Sequence, residues 1–93
     1  MAVRVLLPSL LRPLAGGVGE VTLPGTPSTV DEAFDALWRA HPSLRDRVLT
    51  ETGVVREHVQ VFVGNESIRY SGGLATALPP ETELSIVPAV SGG

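Results

Sequence analysis

The sequence predicts an α+β fold, a mixed sheet with one main helix packed on one of its faces. Three observations carry that prediction: alternating apolar residues near both ends, a single helical stripe opened by a capping box, and turn signals between the segments. At 93 residues the chain makes one small domain. A domain of this size leaves little room for a deep, self-contained active site.

The first strand is expected over Ala2–Leu7, where Val3, Val5 and Leu7 alternate with Ala2, Arg4 and Leu6. Pro8 closes it, and Pro13 with three glycines makes Ser9–Gly19 a broad turn. The stretch "EVTLPG" then offers a second strand with Val21 and Leu23 inward, so the two strands form a hairpin.

Thr29, three residues before Glu32, forms a capping box: the threonine oxygen accepts from the Glu32 N–H while the glutamate reaches back. Val30, Ala33, Phe34, Leu37 and His41 recur at helical spacing with Trp38 beside them, and Pro42 stops the run. Ser43 is expected to cap a second helix over Leu44–Thr50 that buries Leu44 and Val48, with Gly53 beyond it as a stop signal.

Further on, "HVQVFV" alternates Val59, Val61 and Val63 with His58, Gln60 and Phe62. Gly64-Asn65 turns the chain into "ESIRY", a strand expected to place Ile68 and Tyr70 on one side. A loose helical turn around Leu74 precedes a final strand, Glu83–Pro88, with Leu84 and Ile86 inward. A parallel pairing of the first and last strands, reached by a crossover over the helix, would make this a β-grasp. Periodicity alone also admits another small α+β roll.

Composition narrows the chemistry. Hydrophobic residues are 43% of the chain and charged residues 18%, which is globular composition. A formal net charge of -3 offers no basic footprint for nucleic acid. No segment approaches the roughly twenty apolar residues of a membrane span, and the proline-broken N-terminus does not read as a signal, so the expectation is a cytoplasmic protein with no membrane partner. Cysteine is absent, which removes thiol nucleophiles and thiolate metal sites. All seven basic residues are arginine, so no side-chain amine is available for acylation within the chain.

Catalytic groupings are wanting. His41 precedes a proline and His58 opens a strand, and no spacing sets either beside a carboxylate or serine as a triad or metal site requires. Asp31, Glu32 and Asp35 lie in the first turns of the helix, where its dipole favours negative charge. Ser71–Gly73 lacks the lysine and the strand-to-helix setting of a phosphate loop, and it reads as a turn.

The last residues are different. The expected organisation is a folded domain over 1–88 and a flexible tail over 89–93: Ala89, Val90, Ser91, Gly92 and Gly93. Fully extended, such a tail reaches about 16 Å at roughly 3.3 Å per residue. Gly92 and Gly93 carry no Cβ, so a carboxylate behind them can pass through a narrow channel into another protein's site. A folded surface must offset the ordering cost, and strand alternation places Arg4, Leu6, Phe62 and Val87 on the face opposite the helix as a candidate docking patch.

The block "VFVGNESIRYSGGLATALPPETELSIVPAVSGG", together with "LLRPLAGG" near the start, resembles the ubiquitin-like sulfur carrier family of the CysO, MoaD and ThiS type, most nearly the CysO type. The resemblance covers nearly the whole chain. It implies a β-grasp fold and a protein cosubstrate rather than an enzyme. It further implies that the Gly93 carboxylate is adenylated by an E1-like enzyme and converted to a thiocarboxylate. ATP would be used by that partner, and no cofactor would be bound by this chain. A CysO-type carrier implies two more partners, a sulfur-acceptor synthase and a metal-dependent peptidase, whereas a MoaD-type carrier implies the larger subunit of molybdopterin synthase. A protein modifier that joins target lysines, or a β-grasp interaction module with a passive tail, would share the same outline.

Overall fold

The computed structural model describes residues 3–88. Strand β1 (Val3–Leu6) leads through a 3-10 turn (Arg12–Ala15) to β2 (Glu20–Leu23), then to helix α1 (Val30–Ala40). A 3-10 turn (Pro42–Leu44) runs into α2 (Arg45–Val48), followed by β3 (Val59–Val63) and the two-residue β4 (Glu66–Ser67). Two further 3-10 turns, Ile68–Tyr70 and Gly73–Ala75, precede β5 (Glu83–Pro88).

The sheet order is β2-β1-β5-β3-β4. β1 pairs antiparallel with β2 and parallel with β5, and β5 pairs antiparallel with β3. The parallel central pair demands a crossover, which α1 supplies against one face. This is the β-grasp arrangement, and it decides between the two folds that periodicity admitted.

Alternation in the strands sets the core. Val3, Val5, Leu23, Val59, Val61, Leu84 and Ile86 point toward α1 and are buried with its Val30, Ala33, Phe34 and Leu37. Burying each of these side chains larger than alanine favours folding by about 1.5–3 kcal/mol over leaving it exposed. Trp38 covers the stripe, its ring 5.0 Å from that of Phe34.

The N-terminus of α1 is capped as expected on one side: the Glu32 N–H donates to Thr29 Oγ1 at 3.2 Å. The returning carboxylate settles on Ser28, one residue ahead of the cap, accepting from its N–H at 2.9 Å and its hydroxyl at 3.1 Å. A further helix-start donor, the Val30 N–H, is taken by the carbonyl of Thr76 at 3.0 Å. Thr76 is itself buried and its hydroxyl donates to the Gly73 carbonyl at 2.6 Å. The "SGGLAT" segment therefore locks the start of the helix from across the sequence.

Four expectations change. Ser43 caps nothing, because Pro42 starts a 3-10 turn that merges into α2 without leaving a free helix start. The second helix stops at Val48, because Leu49 turns to extended backbone and bridges Val55, although Leu44 and Val48 are buried as foreseen. Gly53 closes a turn between Leu49 and Val55, which bridge, rather than ending a helix. The strand expected over Glu66–Tyr70 lasts two residues, since the Ser67 hydroxyl accepts from the Arg69 N–H at 3.4 Å and bends the chain. Ile68 reaches the core through that bend, while Tyr70 is turned out to 86% exposure. The broad turn over Ser9–Gly19 contains the Arg12–Ala15 helical turn, which buries Ala15.

Candidate docking face and the end of the last strand

β5 occupies the middle of the sheet, with ladders to β1 on one side and β3 on the other. Its last residue, Pro88, still pairs with Val59. The chain thus leaves the sheet toward 89–93 from a central strand whose last residues, Val87 and Pro88, are held by β3. The expected tail residues Ala89, Val90, Ser91, Gly92 and Gly93 lie outside the described residues.

The four expected docking residues share the face away from α1. Register aligns Leu6, Ser85 and Phe62 in one row across β1, β5 and β3. At about 4.8 Å per strand, the Leu6 and Phe62 backbones stand roughly 10 Å apart with the small Ser85 between them. Val87 sits one row nearer the end of β5, opposite Gln60, and is 40% exposed. Leu6 and Phe62 are half-buried.

Arg4, the one charged member of this patch, is not an isolated cation. Its guanidinium contacts Glu83 at 2.9 Å and Glu20 at 3.7 Å, from the strands on either side. The three groups together carry one net negative charge. Each contact is solvent-exposed and worth under about 1 kcal/mol, but the pairing removes Arg4 as an isolated cation.

A second feature, missed in the sequence, lies on the other side of the sheet. The inward-facing Val59 and Ile86, Pro88, and the Pro8, Leu10 and Leu14 of the first connection enclose a cleft of about 310 Å³. Arg47 of α2 and His58 also line it, and both continue into an adjoining hollow with Arg56. The signal for this cleft was the apolar run Leu10, Leu11 and Leu14 around Pro13, which suits a proline-started helical turn as well as a loop. Neither histidine hydrogen-bonds a carboxylate or a serine through its side chain among the described residues, and no three His, Asp or Glu side chains gather there as a metal site would require.

A mixed sheet with its last strand at the centre, one helix across one face and an apolar row on the other is the β-grasp of the ubiquitin-like class. The chain belongs to the ThiS family, which it matches over residues 5–93. It is 34% identical to sulfur carrier protein CysO of Mycobacterium tuberculosis, an alignment covering 100% of both chains. It is 38% identical to small archaeal modifier protein 1 of Haloferax volcanii over 66 residues, 71% of each chain. Among solved structures it is similar to the Amycolatopsis orientalis BexX/CysO complex, with a TM-score of 0.88 at 35% identity, covering 99% of this chain and 100% of that one. Its relatives thus include a sulfur carrier protein and a small modifier protein. Among the described residues no helix is long and apolar enough to cross a membrane.

Proposed function

We propose that this protein is a sulfur carrier whose reactive group is the main-chain carboxyl of Gly93. The observation that carries the reading is the full-length similarity to a sulfur carrier protein, joined to a last strand that leaves the middle of the sheet beside Leu6, Phe62 and Val87. The chemistry follows from the carboxylate. Its oxygen is a poor leaving group, so an E1-like enzyme first joins it to the α-phosphate of ATP, forming an acyl adenylate and releasing pyrophosphate. A sulfur donor then displaces AMP to leave a thiocarboxylate. That sulfur is a nucleophile carried without free sulfide, and a tethered delivery into an acceptor synthase raises its effective concentration. The domain supplies docking and reach, so it acts as a cosubstrate in the cytoplasm, where ATP and the acceptor are at hand. Release from an acceptor product by a metal-dependent peptidase fits a CysO-type route, and pairing with a larger synthase subunit fits a molybdopterin route.

The test is incubation with an E1-like enzyme, ATP and a sulfur source, followed by intact-mass measurement. The expected result is exchange of one terminal oxygen for sulfur, and its loss when Gly93 is deleted or one residue is added after it. Equal sulfur transfer by the shortened chain overturns the reading. The similarity to a small archaeal modifier protein favours a second reading, conjugation to lysines of other proteins. The absence of lysine in this chain would confine such conjugation to its targets. Branched Gly-Gly adducts on cellular lysines would identify that activity. If tail deletion left every partner interaction intact, the domain would instead be an interaction module with a passive tail.

A further inference from the structure

The cleft and the open face lie on opposite sides of the sheet, because Val59 and Ile86 point toward α1 while Leu6, Phe62 and Val87 point away. Both adjoin the end of β5. We infer that the cleft between Leu10 and Arg47 is a second docking point for the enzyme that adenylates Gly93, and that it receives an apolar side chain flanked by a carboxylate. The inference rests on the reading that a partner acts on Gly93.

Position comes first. Five residues follow Pro88, so an enzyme holding the Gly93 carboxyl has its entrance within about 16 Å of Pro88. A standard interface covers about 800 Å² on each partner, a disc of roughly that radius. Pro88 is itself a wall of the cleft. An enzyme centred on this terminus therefore covers the cleft as well as the rim of the open face.

Chemistry comes second. Leu10 is 79% exposed at a cleft lined mostly by apolar side chains, an anchor site without a cover among the described residues. Charge then selects the partner's flanking group. The chain carries a formal net charge of -3, and on the open face Arg4 is offset by Glu20 and Glu83. Around the cleft the balance reverses. Arg47 has no ion pair among the described residues, Arg56 spends its Nε on the carbonyl of Asp46, and the Asp46 carboxylate meets Arg45. Electrostatic recognition of an acidic partner surface consequently falls to the cleft rather than to the patch around Arg4.

The experiment is ATP–pyrophosphate exchange by the E1-like enzyme with the full chain varied in concentration. Leu10→Asp is expected to raise KM for the carrier about tenfold or more, and Arg47→Glu about threefold to tenfold, with kcat within about twofold. Added salt should shrink the Arg47→Glu effect proportionally more than the Leu10→Asp effect, most of which is lost apolar contact. Val54→Asp, at a comparably exposed apolar side chain outside the cleft, should leave KM unchanged. Thermal unfolding of each variant separates docking from folding. KM unchanged at both cleft positions overturns the inference while leaving the carrier reading standing. A dimer that Leu10→Asp converts to monomer also overturns it, since the occupant is then a second copy. No exchange with the unaltered chain defeats the carrier reading and this inference together.

Discussion

Gly19 shows how one residue can organise a connection. A Cβ at this position would lie 2.9 Å from Arg12 Nε and 3.0 Å from its Cζ. That same Nε donates to the Leu7 carbonyl at 3.2 Å, while the Leu7 N–H donates to the Gly19 carbonyl at 2.8 Å. The guanidinium thus closes the wide connection between β1 and β2 by lying over a glycine. Gly19→Ala should displace Arg12 and cost the hydrogen bond, about 0.5–1.5 kcal/mol. Arg12→Ala should cost a similar amount, and the pair together little more than either. Urea unfolding of the two single variants and the double variant checks this, with full additivity as the contrary result. The glycine is visible in the sequence, but its reason is not, because the arginine that fills the space belongs to a turn seven residues earlier.

At the scale of elements, α1 is the part most legible in the sequence. Its threonine cap, apolar stripe and proline stop depend on neighbours within one or two turns, so local chemistry suffices to place them. Thr29→Ala should destabilise the fold by about 1 kcal/mol, read as a lower urea midpoint with an unchanged slope. A shift in the slope would mean that the start of the helix unfolds on its own. The ends of shorter elements were less legible. β4 is cut short by the local bond of the Ser67 hydroxyl, and the second helix by Leu49, which leaves helical backbone to bridge Val55. Tyr70 looked like a strand residue because alternation continued through it, yet the bend at Ser67 redirects it into solvent.

For the whole molecule, the arrangement of strands matters more than any single contact. Parallel pairing of β1 with β5 puts the last strand in the middle of the sheet, held by β1 as far as Ser85 and by β3 as far as Pro88. The same register gathers Leu6 and Phe62 across Ser85, making an apolar row from three distant segments. Phe62→Asp should raise KM in the adenylation reaction by about fivefold or more through lost docking. Its half-buried site should keep the domain folded, with far-ultraviolet circular dichroism unchanged. Unaltered kinetics would remove the open face from the docking surface. Arg4 does not belong to the attractive part of that face as a free charge, since the fold encloses it between two carboxylates.

Some of this protein was settled by short-range information alone: the fold class, the helix with its cap, and the inward residues of each principal strand. These depend on periodicity, turn chemistry and a motif, all of which act over a few residues. Only the tertiary structure decided which cations are neutralised, where "SGGLAT" reaches the helix, and that Leu10, Arg47 and Ile86 meet at one cleft. Those outcomes require strands and loops far apart in the chain to share a place, and the register that brings them together is set by packing the whole core at once.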